Sequence, residues 1–231
     1  MNSNLTEIVC IVDRSGSMSS VREDAVAGFN SFLGDQKKQP GDANITLVLF
    51  NDGYEVVHDG RPIAGVDPLN DQTYVPDGCT ALLDAVGRSI DDVGKRLAAT
   101  PEDERPGKVI VAILTDGLEN ASTDYTRERV FEMISHQHET YSWEFIFLAA
   151  NQDAIAEGGK IGIKSDNSMN FAASGEGTKE ACLCMSDAVM GFRTTGKTGD
   201  WKKMHKRVPG SHRRSRSRTP SQGQTNGNNG Q

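Results

Sequence analysis

Apolar and polar positions along this chain alternate between two rhythms. The stretches TEIVCIVD, NITLVLFND, KVIVAILTDG and WEFIFLAA are nearly continuous apolar runs, rich in β-branched residues and closed by polar turns. Such runs predict buried strands. Between them, apolar residues step by three and four. Val21, Ala25, Val26, Phe29, Phe32 and Leu33 predict an amphipathic helix over about 19–36. Leu82, Leu83, Val86, Ile90, Val93 and Leu97 predict another from Thr80, broken by Pro101 and Pro106. Further helices are predicted near 125–139, 153–160 and 176–192, with a weak strand at SMNFAA. Asp52-Gly53 lies between two strand-like runs, a strong two-residue hairpin signal in which both central residues take positive φ.

Strand–helix alternation with one hairpin predicts an α/β fold of Rossmann-like, doubly wound type. Its sheet of about six strands is mostly parallel, with one antiparallel edge strand and helices on both faces. The periodicity stops near residue 193. Residues 194–231, rich in Gly, Ser, Asn, Gln and Arg, hold little to bury, so the expected organisation is a domain over 1–193 and a disordered basic tail over 194–231.

Charge sharpens that division. Residues 201–231 contain eight Lys or Arg and no Asp or Glu, leaving 17 basic and 32 acidic side chains in residues 1–200, a net of −15. An acidic body is unlike a nucleic-acid binder, whereas the tail, with its RRSRSRTP run, has the charge for one. The apolar runs are far shorter than the roughly 20 residues of a membrane span. The N-terminal residues lack the basic and cleavage regions of a secretory signal. Cys10, Cys79, Cys182 and Cys184 show no CxxC or disulfide-framework spacing, which points to a reducing cytoplasm. All four are expected to be packed thiols. His136 and His138, two apart on a helix, face different ways and form no metal pair.

The candidate chemistry lies where strands end. The first strand closes on Asp13-Arg14-Ser15-Gly16-Ser17, and the AILTDG strand on Thr115-Asp116-Gly117. Thr80 opens a helix between them. In a doubly wound sheet, ligands bind beyond the carboxyl ends of the strands where strand order reverses. If the hairpin occupies one side of the first strand and the AILTDG strand the other, Asp13 and Asp116 face each other there. Asp13, Ser15, Ser17, Thr80 and Asp116 offer only hard oxygen, which suits Mg²⁺, with Mn²⁺ or Ca²⁺ as alternatives. Gly16 is expected to let the loop turn so that alternate side chains converge. Glu119 and Asn120 are expected to shape the turn rather than touch a ligand.

Those three segments, DRSGS, the threonine of DGCTALL, and TDG, resemble the metal-ion-dependent adhesion site of von Willebrand factor A domains. LTDGLENAS and WEFIFLAANQDA are similar to bacterial intracellular members of that family. The resemblance covers about residues 5–192. It implies that Asp13, Ser15, Ser17, Thr80 and Asp116 hold a divalent cation, with the two serines and the threonine as ligands. It further implies that a Glu or Asp of a protein partner completes the coordination. The implied role is therefore a non-enzymatic protein-interaction module within an intracellular assembly.

Two other readings remain open at this point. One is a metal-dependent phosphoryl-transfer or hydrolytic enzyme using Asp13. Position 15 is Ser rather than a second Asp, no lysine neighbours these loops, and no phosphate-binding glycine motif is present. The other is nucleic-acid association through the tail.

Overall fold

The computed structural model describes residues 1–204. Six strands and six helices follow in the order β1 (Asn2–Asp13), α1 (Arg22–Lys37), β2 (Asp42–Phe50), β3 (Tyr54–Pro62), α2 (Leu82–Ala99), β4 (Pro106–Thr115), α3 (Arg127–Tyr141), β5 (Glu144–Ala149), α4 (Ala154–Lys160), β6 (Ser168–Asn170), α5 (Gly175–Thr195) and α6 (Trp201–Met204). The strands form one sheet in the order β3-β2-β1-β4-β5-β6. Only the β2–β3 pair is antiparallel. This is the expected doubly wound α/β sheet.

β1 is central because it is apolar on both faces. Ile8 pairs with Ile45 on one side and Ile110 on the other. Ile8, Cys10 and Val12 enter a core under α1 and α5 with Phe29, Phe32, Met185 and Val189. Val9 and Ile11 enter a second core under α2, α3 and α4 with Val86, Ile90, Val130 and Ile134. Period-two alternation is therefore present, but each side of the pleat meets a helix layer. Each fully buried large aliphatic side chain contributes about 1.5–3 kcal/mol of burial free energy.

Leaving β1, the chain first adds β2 and β3 on one side, then returns to add β4 on the other. The strand order reverses between β1 and β4, and the loops after these two strands are neighbours there.

Two local expectations change. The β2–β3 hairpin exists, but neither Asp52 nor Gly53 has positive φ. Phe50 pairs with Tyr54, leaving a three-residue turn. Asn51 stabilises it by accepting the Gly53 N–H on Oδ1 at 2.7 Å. An Asx turn thus replaces the mirror-image turn of a two-residue Asp-Gly hairpin.

Helical structure also continues past residue 193. α5 continues to Thr195 and is capped by Gly196 at φ 74°. The Thr198 hydroxyl donates to Asn167 Oδ1 at 2.9 Å. Trp201 is 1% exposed and joins the α1/α5 core. Composition alone hid this, because one tryptophan supplies the apolar area that a longer periodic segment usually would. The rest of the expected tail, including RRSRSRTP, lies outside the described residues.

Candidate functional site

Asp13, the last residue of β1, is 0% exposed. Its carboxylate is fully engaged: Oδ1 accepts the Ser15 N–H at 2.7 Å, and Oδ2 accepts the Thr115 hydroxyl at 2.6 Å. The first bond bends the chain so that Ser15 and Ser17 turn towards one point. Their Oγ atoms lie 3.0 Å apart. Ser17 Oγ donates to Asp116 Oδ1 at 2.5 Å. The loops after β1 and β4, 99 residues apart in sequence at this contact, are thereby joined.

Gly16 has a role other than the one expected. It lacks positive φ. Its N–H donates to Gly78 O at 3.1 Å, and a Cβ would lie 3.3 Å from that oxygen. Glycine here permits the close approach of the loop carrying Thr80, rather than an unusual turn.

That loop, residues 66–81, is irregular but firmly held. The Tyr74 side chain is completely buried, and its hydroxyl donates to Asp13 O at 2.5 Å. Arg22 donates to the carbonyls of Tyr74 and Asp71. Asn51 Nδ2 donates to Asp77 Oδ1 at 2.5 Å, and Ala81 N–H to Asn51 O at 2.7 Å. Thr80 arrives beside the aspartate loop, where Asn120 binds it twice. Asn120 Oδ1 accepts the Thr80 N–H at 2.9 Å, and Asn120 N–H donates to Thr80 O at 3.0 Å. Glu119 accepts the N–H groups of Leu83, Ala121 and Ser122. It satisfies the start of α2 and the next turn together. Both residues therefore shape the turn, as expected.

The structure brings the five candidate residues to one place. Thr80 is 3% exposed, yet its hydroxyl makes no hydrogen bond among the described residues. A Cβ on Gly117 would sit 2.6 Å from Thr80 Oγ1, so only glycine lets this hydroxyl lie against the aspartate loop. Asp116 is 6% exposed. Burial pushes both carboxyls above the usual carboxylate range. The charge of Asp13 raises Asp116 further, while hydrogen bonds from Thr115 and Ser15 to Asp13 and from Ser17 to Asp116 work in the opposite direction. No basic side chain forms an ion pair with either aspartate among the described residues. Arg14, the basic residue nearest in sequence to Asp13, pairs outward with Glu55 at 2.5 Å.

These features suit a divalent cation. Two buried carboxylates without a counter-charge are costly, by several kcal/mol per ion in a low-dielectric site. The Thr80 hydroxyl, which makes no hydrogen bond among the described residues, is free to act as a ligand. Mg²⁺ binds oxygen at about 2.0–2.1 Å in octahedral geometry, so adjacent ligands lie about 2.9 Å apart. The 3.0 Å between Ser15 Oγ and Ser17 Oγ matches that spacing. No cluster of three His, Cys, Asp or Glu side chains occurs among the described residues. Hydroxyls make up the donor set, which favours hard ions over zinc.

Sequence reasoning missed Tyr74 and the Thr115 contact to Asp13. Thr115 was visible within TDG, but nothing in the pattern showed its hydroxyl turning back to β1. Cys79 was expected to be packed and is exposed. It lies in the irregular loop, whose core contacts are made by Val66, Leu69 and Tyr74 instead. Cys10, Cys182 and Cys184 are buried.

Comparison with solved structures identifies the fold as that of von Willebrand factor A domains. The chain is similar to a von Willebrand factor type A protein from Catenulispora acidiphila, at 19% identity and a TM-score of 0.52 over 82% of this chain and 43% of that one. It is similar to proximal thread matrix protein 1 from the mussel byssus in a form with a zinc-occupied MIDAS motif, at 16% identity and a TM-score of 0.51 over 79% and 47%. It is also similar to the pilus adhesin SpaC from Lactobacillus rhamnosus GG, at 14% identity and a TM-score of 0.57 over 82% and 31%. The chain spans less than half the length of each. No protein-family model and no curated protein sequence matches it.

Proposed function

We propose that this chain is a protein-interaction module whose divalent-cation site captures an acidic side chain of a protein partner. The observation that carries the reading is the convergence of Ser15, Ser17, Thr80, Asp13 and Asp116, with a Thr80 hydroxyl that makes no hydrogen bond among the described residues. Ser15, Ser17 and Thr80 would supply hydroxyl ligands. Asp13 and Asp116 would balance the charge, Asp13 while remaining held by Ser15 N–H and the Thr115 hydroxyl. Mg²⁺ is the ion we favour. Among the similar structures, a byssus protein carries zinc at its MIDAS motif, which supports a divalent ion without choosing among them. When bound, such an ion supplies a Lewis-acidic position for an oxygen ligand from outside. Two protein carboxylates only offset its charge, so a third carboxylate is a suitable external ligand.

An enzymatic role is less well supported. Asp13 is 0% exposed and each of its carboxylate oxygens already accepts a hydrogen bond, which places it poorly for attack on a phosphoryl group. Four unpaired thiols suit a reducing compartment, and we place the protein in the cytoplasm on that ground. No helix among the described residues is long and apolar enough to cross a membrane.

Affinity purification of the tagged protein with Mg²⁺ and with EDTA tests the reading. Partner retention should require the ion and should disappear in Asp13→Ala. A partner held equally well by Asp13→Ala in EDTA would refute it.

A further inference from the structure

The loops that surround the candidate site are almost free of positive charge. They are residues 14–21, 51–53, 66–81, 116–126, 150–153 and 171–174. Arg14 is the one basic residue in all of them, and its guanidinium is already paired with Glu55. Against it stand Asp52, Asp71, Asp77 and Asp124, all exposed. Arg22, at the start of α1, reaches over this face, donates to the Asp71 and Tyr74 carbonyls and lies 3.9 Å from the Asp71 carboxylate, whose charge it partly offsets. Lys179 at the adjoining end of α5 pairs with Asp24 at 2.7 Å. The basic groups near this face are therefore spent internally. Leu118, two residues past Asp116, is 57% exposed beside the site.

Resting on the reading of the site given above, we infer that the partner presents its carboxylate inside a basic segment. The segment is one Asp or Glu flanked by Lys or Arg, with an apolar side chain to cover Leu118. The ion position is the one place on this face that favours a carboxylate. Thr80, 3% exposed and with a hydroxyl that makes no hydrogen bond among the described residues, lies against Gly117 and marks that position independently of the rim charges. The exposed carboxylates of Asp52, Asp77 and Asp124, and more weakly that of Asp71, repel a second acid and attract a base. Complementary rim charges steer encounter and reject mismatched partners more than they add affinity. An acidic polymer, a nucleic acid included, meets repulsion over the whole face. The device thus separates two requirements: one acid for the ion, and bases for the rim.

Synthetic twelve-residue peptides and the full chain test this by fluorescence polarisation in Mg²⁺ at low salt. One peptide carries a central Asp flanked by two Lys on each side, the second the same Asp flanked by Glu, and the third the basic flanks with Asn for Asp. A parallel Mn²⁺ titration without peptide reads the ion site alone. The expected result is Mn²⁺ binding, with the basic-flanked Asp peptide at least tenfold tighter than the Glu-flanked one. That binding should be lost with EDTA or with the Asn peptide. The Asp52→Lys, Asp71→Lys double variant should bind Mn²⁺ normally and should narrow or reverse the preference. Mn²⁺ binding with no capture of the basic-flanked peptide, or with equal capture of both Asp peptides, overturns the inference and leaves the ion site standing. Capture of the Asn peptide in EDTA as strong as that of the Asp peptide in Mg²⁺ also overturns it, as bare charge attraction. Absence of Mn²⁺ binding fails the site reading itself, and the inference falls with it.

Discussion

Thr80 shows most clearly how one atom can separate a structural from a functional role. The residue is 3% exposed, and its hydroxyl makes no hydrogen bond among the described residues and lies against Gly117. Valine has nearly the same shape without the oxygen. In metal-free protein, Thr80→Val should leave stability nearly unchanged, since no protein hydrogen bond is lost and the shape is kept. Mn²⁺ affinity of the same variant should fall at least tenfold. Urea denaturation in EDTA and calorimetric titration read the two effects separately. Destabilisation by more than about 1 kcal/mol in EDTA would mean that the hydroxyl is structural. That Asp13, Ser15, Ser17 and Asp116 lie together was legible from the sequence because residue type and position after strands nominate them, and Thr80 was added by its place before a helix. The Thr115 bond to Asp13 and the Tyr74 bond to Asp13 O were not legible, because each depends on a side-chain direction that spacing does not encode.

At the scale of elements, period decided most of what could be read. The four continuous apolar runs and the three-and-four stepping of α2 carry enough repeated signal to fix type and order. Where signal is short, it failed. The β2–β3 turn depends on a single Asn51 contact, and α6 on one tryptophan. The loop 66–81 has no period at all, and its conformation comes from Tyr74, Arg22 and Asn51, which tie it to other elements. A testable element-level contact joins α3 to α4. Glu157 accepts from Lys160 at 2.6 Å and from Arg127 at 3.1 Å, and those cations hold its carboxyl below the usual range. A carboxyl lowered on folding adds stability above its unfolded value and loses it as pH falls through the folded one. Glu157→Gln should therefore cost under about 1 kcal/mol at pH 7, since solvent screens the group. The cost should shrink towards zero as pH falls to about 2, where the carboxyl is protonated in both states. Denaturation of both proteins at the two pH values measures the difference, and an equal cost at both would assign the effect to packing.

Across the whole molecule, the two helix layers enclose the sheet so completely that three of the four thiols are inaccessible. Burial pushes Cys182 and Cys184 up to about 12, and Cys10 higher still. Cys79 is exposed on the face that carries the candidate site. Brief treatment of native protein with a maleimide at pH 7 should add one label, at Cys79, and denatured protein should take four. Mass spectrometry counts them, and prompt labelling of Cys182 in native protein would show that the α1/α5 core opens. The same closed architecture leaves the ends of β1 and β4 as the place where buried charge meets solvent. Calorimetric titration of Mg²⁺ into EDTA-stripped, dialysed protein tests the central claim most directly. One ion should bind per chain, and Asp116→Ala should abolish the signal. No heat of binding at millimolar Mg²⁺, or the same isotherm from Asp116→Ala, would contradict it.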